Sequence, residues 1–260
     1  MISQSRTRVT LAVAGICLAA AGACGQISSV NSAVIVPRVS NDYPGATGTY
    51  INDYPASMTL GESGEYGSSG FANRDEWLFS NNGSTPYSLE ATDYFTVSMT
   101  LTLTGPTTVD NEAGFIIPNA NGEFPDSDLQ FDADTDGGFL GSSGGNGSWN
   151  SRLTYTPGAL VTMGMKYFYD SANSANAIQF WVNAGGGNLY SPVEDLQIGE
   201  TLAGDSLGAY YQLQGTTSSP GSSGQAVFGD ISISQTPEPS TLALLVLGVL
   251  PLARLLRRHA

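Results

Sequence analysis

Histidine is almost missing from this chain of 260 residues, which has a single one, His259. Cysteine is nearly as rare and occurs only as Cys17 and Cys24, both close to the start. A Ser-His-Asp triad, a Cys-His pair and any metal site built on histidine all need residues that the middle of the chain lacks. The sequence leaves open carboxylate chemistry, metal binding through oxygen ligands, or no chemistry at all.

Basic residues are also scarce. Lysine and arginine together number 9, against 23 aspartates and glutamates, and residues 26–236 hold 4 basic and 22 acidic side chains, a net charge of −18. Such a surface repels phosphate backbones, so nucleic acid and anionic lipid are poor partners, and no nucleic-acid partner is expected. Divalent cations and neutral, hydroxyl-rich ligands fit this charge, and solubility alone is the alternative explanation for it.

The first residues have the order of parts of a secretory signal. Arg6 and Arg8 precede an apolar run over 11–21, and small residues around Ala23 offer a cleavage site. We therefore assign residues 1–25 to a signal peptide, with lipidation of Cys24 as an alternative. Export leaves at most one cysteine in the mature protein, and therefore no internal disulfide.

A second apolar segment lies at 242–256, near the other end. As a helix it would extend roughly 22 Å, less than the roughly 30 Å hydrocarbon core of a membrane, and Pro251 interrupts it. Basic residues follow it, as they do on the cytoplasmic side of membrane segments. On its own, the segment predicts a poor single-pass anchor or a buried helix.

The elements of this tail occur in a recognisable order: the tripeptide Pro237-Glu238-Pro239, the apolar segment, and the basic residues Arg254, Arg257 and Arg258. The arrangement resembles the PEP-CTERM sorting signal of Gram-negative bacteria, which we assign to residues 237–260. The resemblance implies that the tail holds the exported protein transiently in the inner membrane until an exosortase-type enzyme processes it near the tripeptide. It further implies release to the cell envelope or the extracellular space, often alongside exopolysaccharide.

Strict alternation of apolar and polar residues dominates the region between the two ends. In 94–104, Phe95 to Leu103 alternate with threonines and serines, and shorter runs around Val161, Ile178, Leu207 and Val227 repeat the pattern. A period of two indicates strands with one buried and one wet face. Glycine- and serine-rich stretches at 61–70, 137–148, 184–188 and 215–225 are predicted loops. Residues 26–236 are therefore expected to form an all-β, two-sheet antiparallel β-sandwich, with helices only in the flanking terminal segments.

Part of this region resembles the jelly roll of concanavalin A-like lectins and glucanases. The segments that carry the resemblance are 113–119, 126–134, 155–170, 178–183 and 226–234. It implies a fold, and that fold hosts lectins, hydrolases and inert structural modules alike.

An acidic stretch suggests one metal site. Asp132, Asp134 and Asp136, followed by Gly137, match the start of an EF-hand calcium loop, but the glutamate expected at its twelfth position is Ser143. The residues before it alternate as in a strand and not a helix. We expect either a calcium site at a strand end or a solvated, charged strand end that protects an edge.

Two further constellations bear on function. Carboxylate pairs for glycoside hydrolysis exist among so many acids, but the Glu-x-Asp-x-x-Glu strand motif of the glucanases is absent, so no catalytic residue is assigned. A glycan-binding face is predicted from Gln179, Trp181 and Asn183 beside Tyr210 and Gln212, if their two strands lie in one sheet. The alternative is that Trp181 packs under a long loop.

These observations leave three classes of function. A structural, non-catalytic protein of the envelope or extracellular matrix comes first, a lectin-like glycan-binding module, with or without calcium, second, and a glycoside hydrolase third. No cofactor is required for the first two.

Overall fold

The computed structural model describes residues 27–64, 70–107, 111–118, 128–135, 137–143, 148–151, 153–196, 200–214 and 222–236. The predicted signal peptide and the predicted sorting segment, including Pro237, Glu238, Pro239, Arg254, Arg257 and Arg258, lie outside these ranges. Within them the one helix is a short 3-10 turn, Ile27–Ser29. No helix in the described ranges is long and apolar enough to cross a membrane.

Fifteen strands lie in the described ranges. In chain order they are β1 Ser32–Asn41, β2 Thr47–Asp53, β3 Ser57–Gly64, β4 Ala72–Ser80, β5 Phe95–Thr104, β6 Glu112–Ile117, β7 Leu129–Asp134, β8 Phe139–Ser143, β9 Ser148–Asn150, β10 Val161–Asp170, β11 Ala175–Asn183, β12 Leu189–Tyr190, β13 Glu194–Asp195, β14 Gly208–Gln214 and β15 Ser222–Gln235.

The strands form two antiparallel sheets. Among the described residues, a seven-stranded sheet has the order β1-β4-β14-β6-β7-β8-β9, and an eight-stranded sheet has the order β12-β11-β10-β5-β15-β3-β2, with β13 also paired to β11. Some neighbouring strands follow one another in the chain, such as β6 to β9, whereas others, such as β4 and β14 or β5 and β15, come from distant parts of it. The predicted two-sheet sandwich is confirmed.

The core lies between the inner faces of the two sheets. Phe131 of β7 packs on Phe180 of β11 with ring centroids 5.0 Å apart. Trp77 of β4 donates a hydrogen bond from Nε1 to the carbonyl of Thr59 on β3, at 3.1 Å. These contacts join one sheet to the other through side chains that alternation directs inward.

The alternation predicted for four strands is confirmed. Fully or almost fully buried are Phe95, Val97, Met99, Leu101 and Leu103 of β5, Val161, Met163, Met165 and Tyr167 of β10, Ile178, Phe180 and Val182 of β11, and Ala209, Tyr211 and Leu213 of β14. Their polar neighbours along each strand point to the opposite face, as a period of two requires.

In β15 the prediction that Val227 shares a buried face with Ile231 is wrong. Val227 is exposed, and Phe228 is buried in its place. The register against β5 shifts between Gly229 and Ser232, and Asp230 there has a φ of 47°. A β-bulge with one extra residue moves the following side chains to the other face, so Ile231 is buried although Val227 is not.

Three predicted loops are partly strands. Residues 61–64 belong to β3, Phe139–Ser143 forms β8, and residues 222–225 belong to β15. Gly141 in β8 lies under the ring of Phe180, where an added Cβ would be 2.7 Å from Phe180 Cδ2. Glycine is present there because the opposite sheet approaches closely, and not because the chain turns.

A buried ionic network also lies between the sheets. Arg38 Nη1 is 2.7 Å from Glu62 Oε1, and the Arg38 amide donates to Asp75 Oδ1 at 2.8 Å. Tyr50 donates its hydroxyl to the same Asp75 oxygen at 3.0 Å. Burial, then the hydrogen bond and charge of Asp75, raise the pKa of Glu62 to about 8, against the opposing effect of Arg38.

Candidate functional site

The outer face of the seven-stranded sheet carries a group of polar side chains that contact one another. We call it the polar face. Its members are Arg74 and Glu76 of β4, Glu112 of β6, Asp128 just before β7, Gln130 and Asp132 of β7, and Tyr210, Gln212 and Gln214 of β14. Alternation places them outward, because the residues between them, such as Trp77, Phe131 and Tyr211, line the core.

Tyr210 and Asp132 form the centre of the polar face. In the register of the sheet, Gly114 of β6 lies opposite Tyr210 on one side and Asp132 on the other. The Tyr210 hydroxyl reaches across β6 at Gly114 and donates to Asp132 Oδ2 at 3.0 Å. Glycine is needed at this position because an added Cβ would overlap the β7 backbone at Phe131 and Asp132. The ring itself packs with Leu78 and Ile116.

Burial sets the protonation of this pair. Burial, followed by the charges of Glu112 and Asp134, raises the pKa of Asp132 well above its usual range. Burial, followed by the charges of Asp132 and Glu112, likewise raises the pKa of Tyr210. The phenol therefore keeps its proton and acts as a hydrogen-bond donor; it is a poor general base.

Two amides hold Glu112. Gln212 Nε2 donates to Glu112 Oε2 at 3.2 Å, and Gln214 Nε2 donates to Glu112 Oε1 at 2.6 Å. Glu112 and Gln214 are only half-buried, and so are Gln130 and Asp134 beside them. These four side chains form the accessible rim above the buried Tyr210–Asp132 pair.

Arg74 lies at the other side of Tyr210. Its guanidinium is 5.3 Å from the centroid of the Tyr210 ring. It donates from Nε to Glu76 Oε1 at 2.9 Å and from Nη2 to Asp128 Oδ2 at 2.8 Å. Two carboxylates neutralise the guanidinium, so the polar face offers an anionic ligand little net positive charge.

These side chains are suited to recognising hydroxyl groups. Carboxylate oxygens accept hydrogen bonds, the amides of Gln130 and Gln214 both donate and accept, and the rim is open to solvent. The buried bonds below the rim fix its geometry before a ligand arrives, which lowers the ordering cost of binding.

The predicted glycan face is not formed as expected. Trp181, Gln179 and Asn183 lie on β11 of the eight-stranded sheet, whereas Tyr210 and Gln212 lie on β14 of the seven-stranded sheet. The two groups therefore point outward from opposite sides of the sandwich. The prediction required both strands in one sheet, and alternation alone cannot decide which strands are neighbours.

The structure describes only part of the predicted calcium site. Asp132 and Asp134 share the outer face of β7, but Asp136 lies outside the described residues. Gly137 has a φ of 98° and donates its amide to the Asp134 carbonyl at 2.9 Å, as expected for a tight turn. Among the described residues, no group of three or more histidine, cysteine, aspartate or glutamate side chains is placed to hold a metal. Calcium binding stays a prediction, to be tested by melting temperatures with calcium and with chelator.

Sequence reasoning missed Arg74, Glu76 and Glu112. The signal for the first two is the run Arg74-Asp75-Glu76 directly before the apolar residues 77–79. The whole strand 72–80 is buried, so its charges must be paired. Glu112 gives no comparable signal, because its partners come from β14, far along the chain.

No protein-family model matches the chain, and neither does any curated protein sequence. Solved structures with a similar fold include a family 7 alginate lyase, A1-II', in complex with substrate. It is 15% identical, covers 80% of this chain and 93% of its own, and has a TM-score of 0.48.

Two plant lectin structures are also similar. Arcelin-5, a lectin-like defence protein of Phaseolus vulgaris, is 9% identical over 78% of this chain and 98% of its own, with a TM-score of 0.43. Lectin II of Ulex europaeus is 8% identical over 73% and 98%, with a TM-score of 0.42. At these identities the similarity concerns the fold alone. Because a lyase and lectins share this fold, it does not settle whether the chain is an enzyme.

Proposed function

We propose that this chain is a non-catalytic, lectin-like protein of the bacterial envelope or extracellular matrix, and that it binds a neutral glycan on the polar face. The observation that carries the proposal is that two hydrogen-bonded pairs, Gln214–Glu112 at 2.6 Å and Tyr210–Asp132 at 3.0 Å, lie side by side across three neighbouring strands, with the Tyr210 hydroxyl 3.5 Å from Glu112. Hydrogen-bonding groups fixed in one plane match the closely spaced hydroxyls of a sugar chain.

Charge supports a neutral ligand. Residues 26–236 carry a net charge of −18, and the polar face adds its own acids around a single guanidinium that is already paired. A uronate or phosphate polymer would be repelled, whereas a neutral glycan keeps its hydrogen bonds without that cost. The sorting resemblance supports a neutral glycan as well, because it implies export and release alongside exopolysaccharide.

Binding to an array of neutral and acidic glycans, followed by calorimetry on the full chain in mild detergent, tests the proposal. Gln130→Ala and Gln214→Ala remove rim amides and should each weaken binding about threefold to tenfold, the effect of about one neutral hydrogen bond. Gln225→Ala is the matched control, because Gln225 is an exposed glutamine of β15 in the other sheet. No neutral glycan bound, or equal losses in all three variants, would sink the proposal.

A further inference from the structure

The outer face of the eight-stranded sheet has a feature of its own, at Trp181. Trp181 of β11 lies opposite Gly164 of β10. A Cβ added at Gly164 would overlap Cε2, Cζ2 and Nε1 of the indole. The ring therefore lies down over the glycine, along the sheet and not away from it, and Trp181 remains half-buried.

A second ring extends this surface. Tyr190 of β12 lies opposite Trp181 on its other side and is 54% exposed. Asn188 donates to the Tyr190 hydroxyl at 3.2 Å and accepts from Asn183 Nδ2 at 3.1 Å, so a chain of amides runs beside the two rings. We call Trp181, Tyr190, Asn183, Asn188 and the underlying Gly164 the tryptophan platform.

The platform continues into a surface of small polar residues. Ser98 of β5 is the next residue in the row of Tyr190, Trp181 and Gly164, and the adjacent row holds Thr162 and Thr100. These side chains are short and uncharged, so on that side they leave the face of the Trp181 ring open to a ligand. Lys166 lies in the adjacent row on the other side of Gly164, where its ammonium is 4.5 Å from the centroid of the Phe168 ring.

A flat ring flanked by amides and hydroxyls is the surface that a pyranose chain fits. The apolar face of an equatorially substituted sugar stacks on the ring while the amides bond its hydroxyls. The net charge of −18 over residues 26–236 again disfavours an anionic polymer.

We infer that the tryptophan platform is a second binding site for a neutral β-linked glycan, on the side of the sandwich opposite the polar face. The inference rests on the proposed function, because two outward sites make the protein a cross-linker of glycan chains. With one site on each side of the sandwich, one protein molecule can bind two glycan chains. Where both sites bind the same polymer, the second contact increases the overall affinity.

Tryptophan fluorescence separates this site from the polar face. Of the three tryptophans in the chain, Trp77 is 5% exposed in the core and Trp149 packs against the core, whereas Trp181 faces outward. Titration of the full chain with cellohexaose should shift the Trp181 emission, and Trp181→Ala should remove that shift. Hexagalacturonate, a charged comparison, should produce none.

Two further variants keep the test valid if Trp181→Ala does not fold. Tyr190→Ala removes an exposed ring and should weaken the fluorescence-detected affinity about tenfold. Tyr169→Ala is its control, since Tyr169 is an exposed ring at the end of β10 outside the platform. Gln214→Ala should leave the fluorescence titration unchanged and still weaken binding seen by calorimetry.

The outcomes distinguish the two proposals. If cellohexaose binds by calorimetry but Trp181 emission does not move, or Tyr190→Ala matches its control, the second site is refuted and the polar face stands. If the emission responds but Gln214→Ala has no effect by calorimetry, the platform stands alone and the proposed function of the polar face is wrong. If Tyr190→Ala instead converts a dimer to a monomer in sedimentation, the platform is an interface between copies and the inference is overturned.

Discussion

Asp132 of the polar face is a buried acid whose stability depends on the groups around it. Its carboxyl is fully enclosed, receives the Tyr210 hydroxyl at 3.0 Å and has Glu112 and Asp134 nearby. If the Tyr210 donor is removed, the Asp132 carboxyl stays buried without a partner. The loss in folding free energy then includes the full desolvation penalty of that carboxyl, which exceeds the net value of one hydrogen bond.

Tyr210→Phe should therefore lower the free energy of unfolding by about 1–3 kcal/mol, because it leaves the buried Asp132 carboxyl without its donor. Urea unfolding at neutral pH measures this. Tyr190→Phe is the matched control, and its effect should stay within about 0.5 kcal/mol because that ring is exposed. Equal effects of the two substitutions would mean that the Tyr210–Asp132 bond contributes nothing.

Glu62 should give the protein a measurable dependence on pH. Its pKa is raised to about 8 in the folded state from an ordinary value of 4.5, so the folded protein binds that proton more tightly than the unfolded chain does. The resulting stabilisation is fully present below about pH 4.5, decreases as the pH rises towards about 8, and is absent above it.

Glu62→Gln keeps the shape of the side chain and removes the titration. The free energy of unfolding of the natural protein should decrease relative to that of the variant between about pH 5 and about pH 9, because only the natural protein loses a bound proton on this path. Comparing the two proteins cancels the slopes from Asp132 and other acids. Parallel stability curves would show that Glu62 is ionised throughout, as its 2.7 Å contact with Arg38 favours.

At the scale of strands, the sequence predicts the sandwich well and the polar face poorly. Strands such as β5 are predictable because burial on one face imposes a period of two on ten consecutive residues. The polar face depends on which strands are neighbours: Glu112 and Gln214, bonded at 2.6 Å, are 102 residues apart. Alternation carries no information about which strands pair when they are far apart in the sequence. The sequence pattern therefore groups Tyr210 with Trp181, although the two lie in different sheets.

Glycine is the other reason that strand prediction failed. The glycine- and serine-rich stretch 137–148 predicts a loop at Gly141, although in β8 this glycine makes room for Phe180 of the facing sheet. The bulge at Asp230 is a similar case, since one extra residue reverses the faces of the rest of β15 without any clear mark in the sequence.

Gly141→Ala should destabilise the protein by about 1–3 kcal/mol, because a methyl group 2.7 Å from Phe180 Cδ2 forces the sheets or the ring to move. Thermal or urea unfolding measures the loss. Gly186→Ala is the control, since nothing lies within 4 Å of a Cβ at that position. A Gly141 variant as stable as the Gly186 variant would show that the two sheets do not approach as closely as β8 and β11 indicate.

At the scale of the whole molecule, the two candidate sites lie on opposite sides of one core. The inner faces of the two sheets are buried against each other, so a ligand can reach only the outer faces and the loops. The net charge of −18 over residues 26–236 disfavours close contact between copies of the chain.

The last prediction concerns the processing of the two ends of the chain. The signal-like residues 1–25 and the PEP-CTERM-like residues 237–260 flank the sandwich, and both lie outside the described strands. If an exosortase-type enzyme releases the protein, the mature form should begin near residues 23–26 and end near residues 237–241. Intact-mass spectrometry of the protein secreted by its native host measures both ends at once.

A variant sharpens this measurement. Pro237→Ala with Pro239→Ala alters the tripeptide but leaves the apolar segment and the basic end in place, so the chain should accumulate in the membrane fraction at its uncleaved C-terminal mass. Pro44→Ala, which changes an exposed proline far from either end, should be processed normally. Recovery of an extracellular form that still carries Arg257, Arg258 and His259 would refute the sorting mechanism, because that end is the part that processing must remove.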